Sequence, residues 1–282
     1  VGRCEVWASG GSGAAPGPGA TMSDSETTLG VLTGLSPRTI YFLYARACNS
    51  VGCSGYAAFG PGTTTAGAPA GGQILSAQLS GLAAQWTPAV GAGLYTLAAS
   101  TQAVPPGSTA PTAPVTTASG TLQGLSLNTR YYLYVNSCED GACSDWTALG
   151  SSATLANAPT ALTVTGVGPG AVHFHLGSNG NPTGTVYVLE RAPTAAGPFA
   201  PVLRTTALEP TVTGLADRTA YAFRARAENR DGVPTVPTAV ALATTEAGPP
   251  RAFPNPAGEA GNQMTLAGFR PDAPIDVYRL DG

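Results

Sequence analysis

One ten-residue pattern returns three times along this chain at a constant interval, and that interval constrains the fold more than any other feature. Leu32-Thr33-Gly34-Leu35-Ser36-Pro37-Arg38-Thr39-Ile40-Tyr41 recurs 90 residues later as Leu122-Gln123-Gly124-Leu125-Ser126-Leu127-Asn128-Thr129-Arg130-Tyr131. It recurs after a further 90 as Val212-Thr213-Gly214-Leu215-Ala216-Asp217-Arg218-Thr219-Ala220-Tyr221. Prolines at 69, 159 and 249 mark seams with the same spacing. Solenoid repeats run at about 20–50 residues, so this period is too long for one. It is instead about the length of one independent two-sheet domain. The chain reads as similar beads on a string.

Within each repeat the apolar residues alternate, as strands require, and show no helical period. Leu82, Ala84 and Trp86 share one face of a strand; Val172, Phe174 and Leu176 do the same in the third repeat. After the recurring turn, Tyr41, Leu43, Ala45 and Ala47 fall on one face of a long strand. Tyr131, Leu133 and Val135 match them, as do Tyr221, Phe223, Ala225 and Ala227. Short strands punctuated by frequent turn signals predict an all-β antiparallel sandwich. The Pro/Ser/Thr-rich stretch from Pro105 to Thr121 reads as a flexible loop.

Composition narrows function. The formal charge is −3, all 13 basic residues are Arg, and they form no cluster, which argues against nucleic acid and anionic membranes as partners. No apolar run approaches the roughly 18 residues a membrane helix needs. The opening Val1 reads as part of a longer precursor. Cys48 and Cys53 are separated as Cys138 and Cys143 are, again one repeat apart. Two pairs in two repeats cannot ligate one zinc, whereas two Cys facing each other across a short hairpin suit a disulfide. Disulfides imply an oxidising compartment. Cys4 is left over, and the third repeat carries Glu228 and Val233 at the corresponding places.

Catalytic patterns are thin. His173 and His175 are the only histidines and alternate outward on their strand with no third ligand nearby, so no metal site is predicted. Gly10-Gly11-Ser12-Gly13 lacks the Lys and the flanking helix of a phosphate loop. No nucleophile elbow and no suggestive carboxylate pair is present, and Asn181-Pro182-Thr183 is not a glycosylation sequon. The prediction is a non-catalytic protein without cofactors. Aromatic residues offer a surface instead. If Tyr41 and Leu43 point inward, Phe42 and Tyr44 point outward, and Tyr132 and Tyr134 repeat them. Trp7 joins this face from the neighbouring strand, making it a candidate contact face.

The Leu-x-x-x-x-x-Tyr corners resemble the E–F corner of fibronectin type III domains. That resemblance implies a tyrosine corner in each repeat: Leu35 with Tyr41, Leu125 with Tyr131, and Leu215 with Tyr221. It also places Trp86 at the family's strand-B tryptophan, Leu176 at the same place in the third repeat, and both Cys pairs across the F–G hairpin. The implied fold is a tandem array of immunoglobulin-like, fibronectin type III sandwiches. The expected boundaries are a partial domain over 1–67 beginning near strand C, complete domains over 68–157 and 158–247, and an incomplete β segment over 248–282. In the last, Ala252-Phe253-Pro254-Asn255-Pro256 and Ile275 to Gly282 resemble the start of a type IX secretion sorting domain, with Arg279 where Asp is usual. The expected role is a secreted or cell-surface structural or adhesive protein, a stalk or filament subunit. Its partners would be other protein subunits or surface glycans. The incomplete ends suggest head-to-tail self-assembly through residues 263–269 or 275–280. The rival readings are an accessory region of a large secreted hydrolase, or a glycan-binding module.

Overall fold

The computed structural model describes residues 2–10, 16–17, 19–108, 110–139 and 141–248, together with the backbone of 251–254 and 264–267. Residues 11–13, 255–263 and 268–282, on which parts of the phosphate-loop and sorting-domain expectations fall, lie outside the described residues. Every regular element among the described residues is a strand. The chain divides into two compact units, 1–154 and 155–282, so the first two repeats share one unit rather than standing as separate beads.

The first repeat forms a single antiparallel sheet. Its strands are β1 (Arg3–Ser9), β2 (Thr21–Ser25), β3 (Ile40–Cys48) and β4 (Ala57–Thr63), in the order β2-β1-β3-β4. The second repeat has two sheets. One is β5 (Ala70–Ala77), β6 (Gly81–Thr87) and β9 (Ser119–Gln123), in the order β5-β6-β9. The other joins β7 (Leu94–Ser100), β8 (Thr112–Val115), β10 (Arg130–Glu139), the short β11 (Ala142–Cys143) and β12 (Thr147–Ala153), with β7 and β12 flanking β10. The third repeats this plan. β13 (Leu162–Gly168), β14 (Ala171–Leu176) and β17 (Thr211–Thr213) make one sheet. β15 (Val186–Ala192), β16 (Ala200–Thr205), β18 (Ala220–Glu228) and β19 (Ala241–Thr244) make the other, in the order β16-β15-β18-β19. A final pair, β20 (Arg251–Pro254) and β21 (Met264–Ala267), forms a two-stranded antiparallel sheet.

The predicted alternation fills both complete sandwiches. In the second repeat Leu82, Ala84, Leu97 and Leu133 are fully buried, and Trp86 meets Tyr95 edge-on at 5.5 Å. Burying one such Leu contributes about 1.5–3 kcal/mol. In the third repeat Leu176 occupies the Trp86 position, and the volume is recovered by Phe174 against Phe223, with centroids 4.9 Å apart. The stretch 105–121 is not all loop. Thr112–Val115 pairs with the outer edge of β7, where Pro114 is tolerated because an edge strand leaves one side unbonded.

Candidate functional site

Three local devices recur, and each can be built from the residues. The corner comes first. Gly34, Gly124 and Gly214 sit at φ +74°, +78° and +72°, where a side chain would strain the backbone. The turn then brings the tyrosine hydroxyl back over its own start. Tyr41 accepts from the Ser36 N–H at 2.9 Å, Tyr131 from Ser126 at 3.1 Å, and Tyr221 from Ala216 at 3.0 Å. Leu125 and Leu215 are buried beneath, while Leu35 is only half-buried.

A second clamp was not foreseen. Thr64, Thr154 and Thr245, at the end of each last strand, use one hydroxyl twice. Each accepts from the backbone N–H of Thr39, Thr129 or Thr219 at 2.9–3.0 Å. Each donates to the carbonyl of Ser36, Ser126 or Ala216 at 2.6 Å. The signal in the sequence was a Thr at a 90- or 91-residue interval, which a Thr-rich chain hides.

The hairpin tips follow. Cys138 and Cys143 face each other in register and Cys48 bridges Cys53; both pairs are disulfides, with Cα atoms 4.1 and 4.0 Å apart. Cys4 is a thiol. In the third repeat Glu228 opposes Pro234, not Val233, because this loop is one residue longer. Asn229 closes it instead, its Oδ1 accepting from the N–H groups of Asp231 and Val233. A Ser or Thr hydroxyl beyond each tip accepts from the strand before it: Ser54 from Ala47, Ser144 from Ser137, Thr235 from Ala227.

The aromatic contact face is corrected in part. Tyr44 and Tyr134, expected to be exposed, are only 6% and 7% accessible, and Trp7, Phe42 and Tyr132 are half-buried. In the first repeat the chain after the disulfide folds Tyr56 over the face, with its ring 6.1 Å from Trp7 and 6.4 Å from Tyr44. Trp146 holds the matching position in the second repeat. Beneath Tyr56, Arg46 stacks at 4.8 Å and donates to Glu5 at 2.5 Å, and Trp7 Nε1 donates to the same carboxylate at 3.3 Å. The Arg46 hydrogen bond holds the Glu5 carboxyl below its usual range against the opposing effect of burial. The third repeat puts charge on its matching face. Glu190 accepts from Arg224 at 2.7 Å and Arg226 at 3.0 Å, Glu228 pairs with Arg226 and Arg204, and Arg224 covers Phe199. Burial raises the Glu190 carboxyl, and the two arginines outweigh it, leaving it below its usual range.

The first two repeats are joined by a polar clamp at the first corner. Arg38 occupies a left-handed backbone conformation, φ +47°. Its guanidinium reaches the carbonyl of Gly91 at 3.2 Å and the carboxylate of Glu139 at 2.8 Å. Glu139 also accepts from Gly93 N–H at 3.1 Å. The intervening linker is bonded along its length: Gly67 N–H donates to Val90, Ser137 donates to the Gly67 carbonyl, and Thr147 donates to that of Pro69.

His173 and His175 lie exposed on the outer face, each with its own partner, Thr211 at 2.8 Å and Glu209 at 2.5 Å. Among the described residues, one group of three metal-type ligands is close enough to share an ion: Glu5, Cys48 and Cys53. Both of its sulfurs are committed to a disulfide and cannot act as thiolates.

The strand partition, the corner and the hairpin define the architecture. The chain is all-β, built of tandem fibronectin type III-like sandwiches. Its neighbours among solved structures are tandem fibronectin type III segments. A two-domain segment of chicken tenascin is 12% identical, with 63% of this chain and 99% of that one covered at a TM-score of 0.44. The FN1–FN3 domains of chicken CNTN1 are 13% identical, with 86% and 88% covered at a TM-score of 0.31. No protein-family model matches the chain, and no curated protein matches it in sequence.

Proposed function

We propose that this chain is a non-catalytic structural or adhesive part of a secreted or cell-surface protein, a stalk or filament element whose task is mechanical. The observation that carries this reading is the Arg38–Glu139 clamp, which spans the seam between two repeats and uses both side chains to hold backbone. A seam bonded at four points acts as a spacer of fixed direction rather than a hinge. Disulfide-closed tips in the first two repeats, an Asn229-closed tip in the third, and a bonded corner in every repeat reinforce the places where load would enter. The aromatic-Pro-Asn-Pro stretch after the third repeat would serve as the export address of a type IX pathway. Partners would be other protein subunits or surface glycans.

The oxidising, external setting is tested on protein isolated from its producing cells. Alkylation without reductant should label one thiol, Cys4, of the five cysteines, and protease added to intact cells should remove the protein. Five reactive thiols, or full protection from protease, would overturn the reading.

A further inference from the structure

The outer face of the third repeat carries two imidazoles that share one strand and one orientation. His173 and His175 alternate with Val172, Phe174 and Leu176 on β14, so both project to solvent while the three apolar residues fill the core. Residues two apart on one strand stand about 6.5 Å from each other. Two imidazoles can bridge that gap by closing on a single ion about 2.0–2.1 Å from each nitrogen. The same ring nitrogen is occupied in both. His175 Nδ1 meets Glu209 Oε1 at 2.5 Å, and His173 Nδ1 meets Thr211 Oγ1 at 2.8 Å.

The neighbouring strand places these partners. β17 sets Thr211 opposite His173. The ladder continues past its end, with Phe174 N–H donating to the Pro210 carbonyl and Leu176 N–H to that of Leu208, which brings Glu209 beside His175. An ionised carboxylate only accepts, so His175 carries its proton on Nδ1 and leaves Nε2 bare. The Thr211 hydroxyl can accept from His173 in the same way. Metal-ligating histidines are held by just such a partner on the far nitrogen, which fixes the tautomer and the ring and raises the basicity of the near one. On the opposite flank β13 sets Gly166 against His173 and Thr163 against His175. Gly166 leaves the edge of the His173 ring clear, since a Cβ there would lie 3.4 Å from Cδ2. No Arg stands at these flanking register positions, and Glu209 adds negative charge beside the pair.

We propose that His173 and His175 form a surface chelate for one divalent transition-metal ion of the class that prefers imidazole, copper, nickel or zinc. The ion is bound through both Nε2 atoms, with Glu209 and Thr211 as positioning residues on the two Nδ1 atoms. Copper binds tightest of the three by its intrinsic preference for nitrogen donors. The remaining coordination positions face solvent and are filled by water. The site lies on an outer sheet face, away from the tyrosine corner, and adds an activity that the mechanical reading does not require.

The test uses the full chain with Cys4→Ser, which removes the competing thiol, and zinc chloride as the probe at neutral pH. The chain has two histidines, so their imidazole proton signals report the site without ambiguity. Both sets should shift together and saturate at one zinc per chain. His173→Gln or His175→Gln should weaken binding by tenfold or more, as expected when a chelate loses one of its two donors. Glu209→Gln and Thr211→Val should each weaken it on the order of tenfold, while Thr211→Ser, which keeps the hydroxyl, should bind as the parent does. All of these side chains lie on the solvent side of the sheet, and unchanged signals from the Phe174 and Phe223 rings would show that each variant is folded. Imidazoles that shift at separate zinc concentrations, or only one that shifts, would overturn the proposal. So would Glu209→Gln and Thr211→Val chains that bind zinc as tightly as the parent. None of these results touches the thiol count and protease accessibility, on which the structural reading stands or falls separately.

Discussion

At the scale of single residues, the corner has two hydroxyls with unequal duties. The Tyr131 hydroxyl satisfies one N–H, that of Ser126 on the exposed turn. The Thr154 hydroxyl lies in a fully buried residue and serves both the Thr129 N–H and the Ser126 carbonyl. Removing a partner from a buried backbone group costs more than removing an exposed bond. Tyr131→Phe should therefore lower the stability of the second repeat by about 1 kcal/mol, and Thr154→Val by about 1–3 kcal/mol. Urea unfolding followed by tryptophan fluorescence reports this selectively, because all three tryptophans lie in the first two repeats. The reverse ranking would show that the threonine clamp is ornamental.

At the scale of strands and hairpins, the disulfides close very small rings. On the chain-entropy account a ring of this size adds at most about 2 kcal/mol. Reduction should lower the second repeat by no more than that, and leave the third, closed by Asn229, unchanged. The third repeat also carries an ion pair that responds to acid. Glu190 is held ionised by Arg224 and Arg226, with its pKa below the ordinary 4.5. Its contribution is complete above that value and is lost as pH falls through the depressed one. Acidification below about pH 4.5 should weaken the third repeat, and Glu190→Gln should flatten that dependence at the expense of stability near neutrality. Both histidines lie in this repeat, so their imidazole proton signals follow its unfolding. An unchanged acid slope in the variant would assign the effect elsewhere.

At the scale of the molecule, the question is whether the first two repeats move together. The Arg38–Glu139 pair is half-exposed on the Arg side and is worth no more than about 1 kcal/mol by itself. Its effect is on direction, because it anchors to Gly91 and Gly93 as well as to charge. Spin labels introduced at Asp24→Cys and Thr101→Cys in a Cys4→Ser chain should give one narrow distance. Arg38→Ala should broaden that distribution without shifting the unfolding midpoint of either repeat by more than about 1 kcal/mol. A distribution as narrow as the parent's would move the rigidity to the linker bonds of Ser137 and Thr147.

The recurring decapeptide was enough to give the strand periodicity, the inward positions from Leu82 to Ala227, and the tyrosine corners. Each of these follows from local alternation and from turn residues close in sequence. The Cys spacing revealed the hairpin tips for the same reason. Three things depended on residues far apart in the chain. Tyr56 closes over Trp7 and Tyr44, which turns an expected exposed face into a half-buried one. Thr154 reaches back 25 residues to its corner, and Arg38 reaches 101 residues to Glu139. Alternation says which side of a strand a residue takes, but only the folded chain decides what comes to lie against that side.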